Sequence, residues 1–316
     1  MACPTIDYTT NMRFTRRQAL AGLALAAPLS ERLAAQRERR GPAPRGTPAL
    51  CLYSDQMRKV GYSEMGEILG MLGFDGVEIT VQTGGHVPLD GNIDLHLERS
   101  IEAMTGSGIE VPIVSTSATT ATTKALQTIM WWAGEMGVPI FRPGHWAIQG
   151  GNVAASAMIA QREISWLAQL GKNFKLQVAI HNSTADFVGS NVAALDALIR
   201  PFEPMIGFDF DIGYATAAAD PAGGLAALEI ALPRLKAATV RDVAWTKAPD
   251  GAKKLSQCPL GEGTVDWPKF FGALAKANFT GPITLQVEYE PKDELAAIRQ
   301  DLAFLKKQRT VAYGLG

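Results

Sequence analysis

Residues 206–214 read IGFDFDIGY. On a β-strand successive side chains face opposite ways, so Phe208 and Phe210 take one face while Asp209 and Asp211 take the other. Three more stretches repeat the design: QVAIHNST at 177–184 with His181, ATVRDV at 238–243 with Arg241, and ITLQVEYE at 283–290. In the last, Thr284, Gln286 and Glu288 oppose Leu285, Val287 and Tyr289. Strands that turn apolar residues outward and gather ionisable ones inward at one end describe a closed parallel barrel with an active site in its mouth. That pattern belongs to an enzyme.

Outward from these four, apolar patches predict strands at 49–53, 76–80, 110–115, 138–142, 177–182, 206–211, 237–241 and 283–289. Helix-compatible stretches lie between them, among them MGEILGMLG (65–73), HLERSIEAMTGSG (96–108), KALQTIMWWAGEMG (124–137) and AQREISWLAQLGKNF (160–174). Gly73, Gly108, Gly137 and Gly171 stand where a left-handed cap would end each helix. Repeated strand–helix alternation makes the fold α/β, a (β/α)8 TIM barrel over residues 49–316. An open doubly wound sheet is the competing architecture, but no GxGxxG follows the first strand.

Apolar residues make up 47% of the 316 and charged ones 19%, ample for one large core. A net charge of -1 gives no long-range attraction to polyanions, so the expected partner is a small molecule and not nucleic acid. A homo-oligomer is left open. At the N-terminus, Arg16 and Arg17 precede QALAGLALAAP (18–28), a run too short to span a bilayer at about 20 residues. Residues 1–36 read as a twin-arginine export signal and 37–48 as a Pro/Gly-rich linker, with a periplasmic or secreted destination and no stable membrane anchor. Cys51 and Cys258 are expected to be unpaired.

Several inward positions carry chemistry. Glu78, between Val77 and Ile79, is either a working carboxylate or one half of a structural ion pair. The sequence IFRPGHW (140–146) offers Arg142, His145 and Trp146 to a substrate at the rim, Trp146 with a flat face for a sugar; alternatively it is a Pro-Gly turn whose arginine bonds a neighbouring carboxylate. His86, after Gly84-Gly85, either reaches the site or caps its turn, and His96 falls on a helix. Trp245 is a second stacking candidate. Asp242, of opposite parity to Arg241, reads as a loop partner, and the long stretch from Lys247 to Trp267 as a lid or a plain connection. Counted inward, Glu78, Asp209, Asp211 and Glu288 against Arg241 leave a balance of -3. A divalent metal (Mn, Zn, Mg or Fe) on His181, Asp211 and Glu288 would answer that charge; without one, Arg241 carries more of the compensation.

The chain resembles the sugar phosphate isomerase/epimerase family with a xylose-isomerase-like TIM barrel, in its secreted bacterial branch. The likeness runs over about 49–310 and is carried by GFDGVEIT (73–80), VAIHN (178–182), DFDIGY (209–214), VRDVAW (240–245), LGEGTVDW (260–267) and FTGPITLQVEYE (279–290). It implies a divalent-metal sugar enzyme that moves protons beside a carbonyl, its metal held by Glu, Asp, His and Glu on strands five to eight. Those positions look like His181, Asp211, Thr239 and Gln286, with Glu288 two residues further on. Only Asp211 matches in kind.

Together these readings lead to a carbohydrate isomerase or epimerase acting on a sugar or keto sugar. A metal or Arg241 would polarise the carbonyl while His181, Glu78 or Glu288 moves the proton, and Arg142, His145, Trp146, Trp245 and Gln286 hold the substrate. A 3-keto-sugar lyase or hydratase, or a silent sugar-binding protein, are the alternatives on the same barrel.

Overall fold

The computed structural model describes residues 43–247 and 253–315. The expected export signal (1–36) and the start of the linker (37–42) lie outside the described residues. Strand β1 (Leu50–Tyr53) leads to α1 (Tyr62–Leu72); β2 (Gly76–Gln82) and the short β3 (Val87–Pro88) lead to α2 (Ile93–Gly106). Then come β4 (Glu110–Thr116) with α3 (Lys124–Glu135), β5 (Ile140–Arg142) with α4 (Val153–Phe174), and β6 (Gln177–His181) with α5 (Val192–Ile199). Strand β7 (Ile206–Asp211) is followed by α6 (Ile212–Ala218) and α7 (Pro221–Ala231). Strand β8 (Leu235–Val240) is followed by a hairpin, β9 (Asp242–Lys247) and β10 (Lys253–Cys258), and then by α8 (Trp267–Lys276); β11 (Ile283–Leu285) and α9 (Glu294–Tyr313) close the chain.

The principal sheet runs β1-β2-β4-β5-β6-β7-β8-β11, and β1 pairs in parallel with both β2 and β11, so it closes into an eight-stranded parallel barrel. The expected (β/α)8 architecture is the observed one. The alternation of side chains separates two cores. Outward residues such as Val77, Ile79, Phe208, Phe210 and Leu285 join helix residues such as Leu126, Ile129, Ile298 and Leu302 in one large apolar layer. Inside the barrel, Ile113, Ile140, Ala179 and Ala237 form a separate small cluster. Beyond it, toward the C-terminal strand ends, the inward residues are polar.

Local signals explain most boundaries. Thr123, Asn152, Asn191, Asp211, Asp220, Asp266 and Asp293 each accept a hydrogen bond from a backbone N–H of the helix that they open. Gly73 caps α1 with φ 85°, as expected. Gly171 does not cap its helix: α4 runs on to Phe174 and ends at Lys175 with φ 60°. The glycine is needed instead for a close approach, because a Cβ there would lie 2.7 Å from the Leu176 carbonyl oxygen.

Two expectations are corrected. The last barrel strand was expected to reach residue 289, yet its ladder stops at Leu285. Beyond that point the Gln286 N–H still donates to the Val240 carbonyl at 3.1 Å, and the Val287 N–H donates to the Gln56 side chain at 2.6 Å. The stretch 247–267, expected to be a loop throughout, contributes β10, paired antiparallel to β9. Asp242 anchors this addition. Its buried carboxylate accepts from the N–H groups of Val243 (2.9 Å), Gly261 (2.9 Å), Gly263 (3.2 Å) and Val265 (3.2 Å), and from the Trp267 indole (2.8 Å). Gly263 is required for the approach, since a Cβ would meet Asp242 Oδ1 at 2.1 Å.

Removing that carboxylate orphans several donors at once. Asp242→Ala is expected to lose about 2–4 kcal/mol of stability, read as a lower urea midpoint at unchanged slope. Asp266→Ala, which removes one exposed cap, should lose only about 1 kcal/mol. Equal losses in the two variants would refute the anchoring role.

Candidate active site

Strand ends set the site. Glu78 (β2), Arg142 (β5), His181 (β6) and Asp209 and Asp211 (β7) point into the barrel, as do Arg241 just past β8 and Gln286 just past β11, and all are buried. Glu288 stands at the rim with its side chain 30% exposed.

Two guanidinium-centred clusters share the mouth. In the first, Arg142 is ion-paired with Glu78, donating from Nε to Oε1 at 2.9 Å, and its Nε lies 3.3 Å from Asp209 Oδ2. Its guanidinium also sits 5.7 Å from the centre of the Tyr53 ring. Asp209 accepts the Thr239 hydroxyl at 3.1 Å. In the second, Arg241 Nε lies 2.7 Å from Asp211 Oδ2, and the same guanidinium pairs with Glu288 and donates to Gln286 and to the Tyr214 hydroxyl. It stacks 4.1 Å over the Tyr214 ring. His181 joins the clusters: its Nε2 is 3.5 Å from Asp211 Oδ2 and 3.9 Å from Asp209 Oδ2. The His145 ring packs against it at 5.2 Å.

Asp211 is held with unusual care. Its backbone N–H donates to Asn182 Oδ1 at 2.7 Å and its carbonyl accepts from Asn182 Nδ2 at 3.0 Å. One carboxylate oxygen, Oδ1, caps α6 by accepting the Tyr214 N–H at 2.7 Å. The other, Oδ2, faces His181 and Arg241. Among the described residues, Oδ2, both His181 ring nitrogens, Arg241 Nε and Glu78 Oε2 are buried without an aligned hydrogen-bond partner.

Burial shifts these groups, and the neighbours modulate it. Burial first, with Glu78 adding to it against Arg142, raises Asp209 to about 7. Burial raises Asp211 to about 6 against the pull of Arg241. Burial and then the positive charge of Arg142 lower His145 to about 3, and the same causes push His181 well below the ordinary histidine value. Both imidazoles are therefore neutral at neutral pH. Burial alone would lower the two arginines, but the carboxylates beside them raise both above the ordinary value.

The structure gathers Glu78, His181, Asp211, Arg241, Gln286 and Glu288 as expected from strand parity, with His145 alongside. Arg142 is not at the rim: β5 turns Ile140 and Arg142 inward, so the arginine is buried against Glu78. The two structural readings of Glu78 and Arg142 are thus one and the same contact. With Arg142 inside, four carboxylates face two arginines, and the balance is -2 instead of -3. Trp146 presents no face for a sugar; it is buried in the outer core and its indole donates to the Thr119 carbonyl at 3.2 Å. Trp245 lies on β9 and is 47% exposed. His86 keeps to its turn, its Nε2 3.1 Å from the Val60 carbonyl and its ring edge-on to Tyr62. Tyr214, Tyr53 and Gln257 were not foreseen. Tyr214 has a usable signal, standing three residues after the capping Asp211 in DIGY. Gln257, on β10, hydrogen-bonds Glu288 and has none.

The residues expected to hold a metal are not arranged as a ligand set. His181 and Asp211 are close enough to share an ion, but Glu288 is paired with Arg241, whose Nε already sits against Asp211 Oδ2. A dication placed between the two carboxylates would press against a guanidinium of like charge. Among the described residues, no group of three or more His, Cys, Asp or Glu is arranged to hold a metal ion. The donor set does not fit the group.

The raised carboxylates have a consequence for stability. Asp209 and Asp211 bind protons more tightly folded than unfolded, so their contribution is fully present below about pH 4 and is lost as pH rises through about 6–7. Asp209→Asn should flatten the fall in unfolding free energy between those limits. A slope identical to that of the unsubstituted protein would rule out the raised value.

Residues 68–308 match the model of the xylose isomerase-like TIM barrel family. No curated protein sequence matches significantly. Among solved structures, a 3-keto-D-glucoside 4-epimerase from E. coli superposes with a TM-score of 0.66 at 15% identity, over 83% of this chain and 100% of that one. A xylose isomerase-like TIM barrel protein from Mycobacterium smegmatis, in complex with magnesium, gives 0.65 at 16% identity, over 87% and 100%. A D-tagatose 3-epimerase-like protein gives 0.64 at 16% identity, over 84% and 98%. At such identities the likeness is one of fold. No helix of the described residues is long and apolar enough to cross a membrane.

Proposed function

This chain belongs to the xylose isomerase-like TIM barrel family, and from that premise we propose that it is a sugar-modifying enzyme of the epimerase or isomerase type, moving a proton on the carbon beside a carbonyl. One observation carries the reading. His181 Nε2 and Asp211 Oδ2 lie 3.5 Å apart, both buried and neither with an aligned hydrogen-bond partner among the described residues. A general base works best with a pKa near the working pH, and Asp211, raised to about 6, meets that requirement. His181, kept neutral by burial, can accept a proton on one ring nitrogen and release it from the other.

In the proposed reaction this pair takes the proton from the carbon, and the electrons of the C–H bond form the enolate double bond as the carbonyl pair moves onto oxygen. A proton delivered to the opposite face of the same carbon by a second donor inverts it; return to the neighbouring carbon, with the hydroxyl proton passed to the former carbonyl oxygen, exchanges ketone for aldehyde. Two of the fold neighbours are described as epimerases or epimerase-like, one of them acting on a 3-keto-glucoside, which supports a sugar or keto sugar as the substrate class. Glu78, engaged with Arg142, is in this reading a positioning group.

Solvent exchange tests the proposal. Incubated with keto sugars in D2O, the protein should place deuterium on the carbon beside the ketone, seen by NMR. His181→Ala and Asp211→Asn should each slow that exchange by about 10²–10⁴-fold. Asparagine still caps α6, and circular dichroism checks that the second variant keeps its fold without the Arg241 ion pair. Saturable sugar binding without exchange would replace the enzyme reading with that of a binding protein, and loss of a hydroxyl instead of exchange would replace it with a lyase.

A further inference from the structure

We infer that Arg241 serves as a built-in cation at the place where a divalent metal was expected, so that the site works without one. The inference rests on the proton-transfer reading for its catalytic half only. Its structural half rests on how the guanidinium is seated. Arg241 follows β8 and reaches groups from both neighbouring strand ends: Asp211 from β7 at 2.7 Å, and Gln286 and Glu288 from the segment after β11. Its flat face lies 4.1 Å over Tyr214, and its NH1 donates to the Tyr214 hydroxyl at 3.0 Å.

The surroundings are cut to this side chain. Gly213 has no Cβ, and one placed there would stand 2.3 Å from Arg241 Cγ and 2.7 Å from its carbonyl oxygen. Glu288, at the partly exposed rim, is held from its far side by Gln257 of β10, which leaves its other carboxylate oxygen to the arginine. Gln286 offers a neutral amide oxygen, which accepts a guanidinium hydrogen without adding charge. Thr239, next along the inner face, donates its hydroxyl to Asp209. Of the three expected metal ligands, two are therefore bound to Arg241 and the third, His181, approaches the same Asp211 oxygen from the other side. A planar guanidinium suits this better than a lysine would, since several oxygens in different directions need separate N–H donors.

In catalysis the guanidinium then supplies what a Lewis acid would: positive charge and N–H donors, already oriented, beside the oxygen on which the enolate charge collects. Nothing is oxidised or reduced. The proton taken from carbon rests on the His181–Asp211 pair, which can return it to the face it left or to the neighbouring carbon, while inversion takes its proton from a donor on the opposite face.

Elemental analysis decides the structural half. The full chain, incubated with excess Mn²⁺, Mg²⁺ or Zn²⁺ and then desalted, should retain only substoichiometric metal, and its melting temperature should not move with metal. Retention of one ion per chain would overturn the inference. Deuterium exchange decides the catalytic half: it should survive EDTA unchanged, and Arg241→Lys, which keeps the charge but not the planar donors, should lose about 10²–10³-fold. Exchange that dies with EDTA and returns with Mn²⁺ would overturn the inference while upholding the proton-transfer reading. A protein that neither exchanges nor retains metal would overturn that reading and leave the seating of Arg241 standing.

Discussion

The contact between Arg241 and Asp211 ties the mouth of the barrel together. Through it the end of β8 is joined to the end of β7, and through Glu288 and Gln286 to the chain after β11. Buried charges are costly, and an ion pair inside a protein is retained only if both partners are present; removal of one costs about 3–5 kcal/mol because the other is left alone. Each inward charge here is thus a constraint on the rest. Arg142 fixes Glu78 and approaches Asp209, Asp209 takes the Thr239 hydroxyl, and His181 lies between the two aspartates. Strands β6, β7, β8 and β11 are neighbours in the closed sheet, whereas β2, β5 and β7 meet across the barrel. Closure is what makes the charges meet.

Arg241 and Asp242 show how one peptide unit serves two ends. Being neighbours just past a strand, they point opposite ways. The arginine enters the mouth and organises the ionised groups, while the aspartate turns to the loop before α8 and gathers its N–H groups. The same hairpin then returns Gln257 to Glu288. Position of the hairpin and orientation of the rim carboxylate are coupled through this short stretch, which explains why VRDVAW and LGEGTVDW, well separated in the chain, belong to one structural device.

Much of this was legible in the sequence, because a period of two needs no tertiary information. The alternation in IGFDFDIGY was enough to put Asp209 and Asp211 inside and the two phenylalanines outside, and the same rule placed Glu78, His181 and Arg241. Pairing was not legible. Which carboxylate Arg142 meets depends on β2, β5 and β7 facing one another across a closed barrel, and on the arginine reaching inward from a strand of only three residues. Trp146 looked like an exposed platform because it follows Pro-Gly, yet the loop folds back and buries it beneath Thr119. The β9–β10 hairpin escaped notice since β10, KKLSQC, is polar and carries almost no apolar alternation to advertise a strand. Gly171 misled for a different reason: a glycine kept for close packing reads, in one dimension, like a glycine kept for a cap.

The charge balance links the two halves of the site. Four carboxylates against two guanidiniums leave -2 if every acid is ionised, in a place with little water to dissipate it. A divalent ion would cancel that charge; the two arginines are already counted in it. The remainder must be met by protons, and the raised values of Asp209, about 7, and Asp211, about 6, are where those protons go. A site built around a guanidinium is in this way obliged to hold carboxyl groups that exchange protons near neutral pH. Proton exchange near neutral pH is also what the proposed chemistry beside a carbonyl demands, so in that reading the imbalance that burial makes expensive is what supplies the acid and the base.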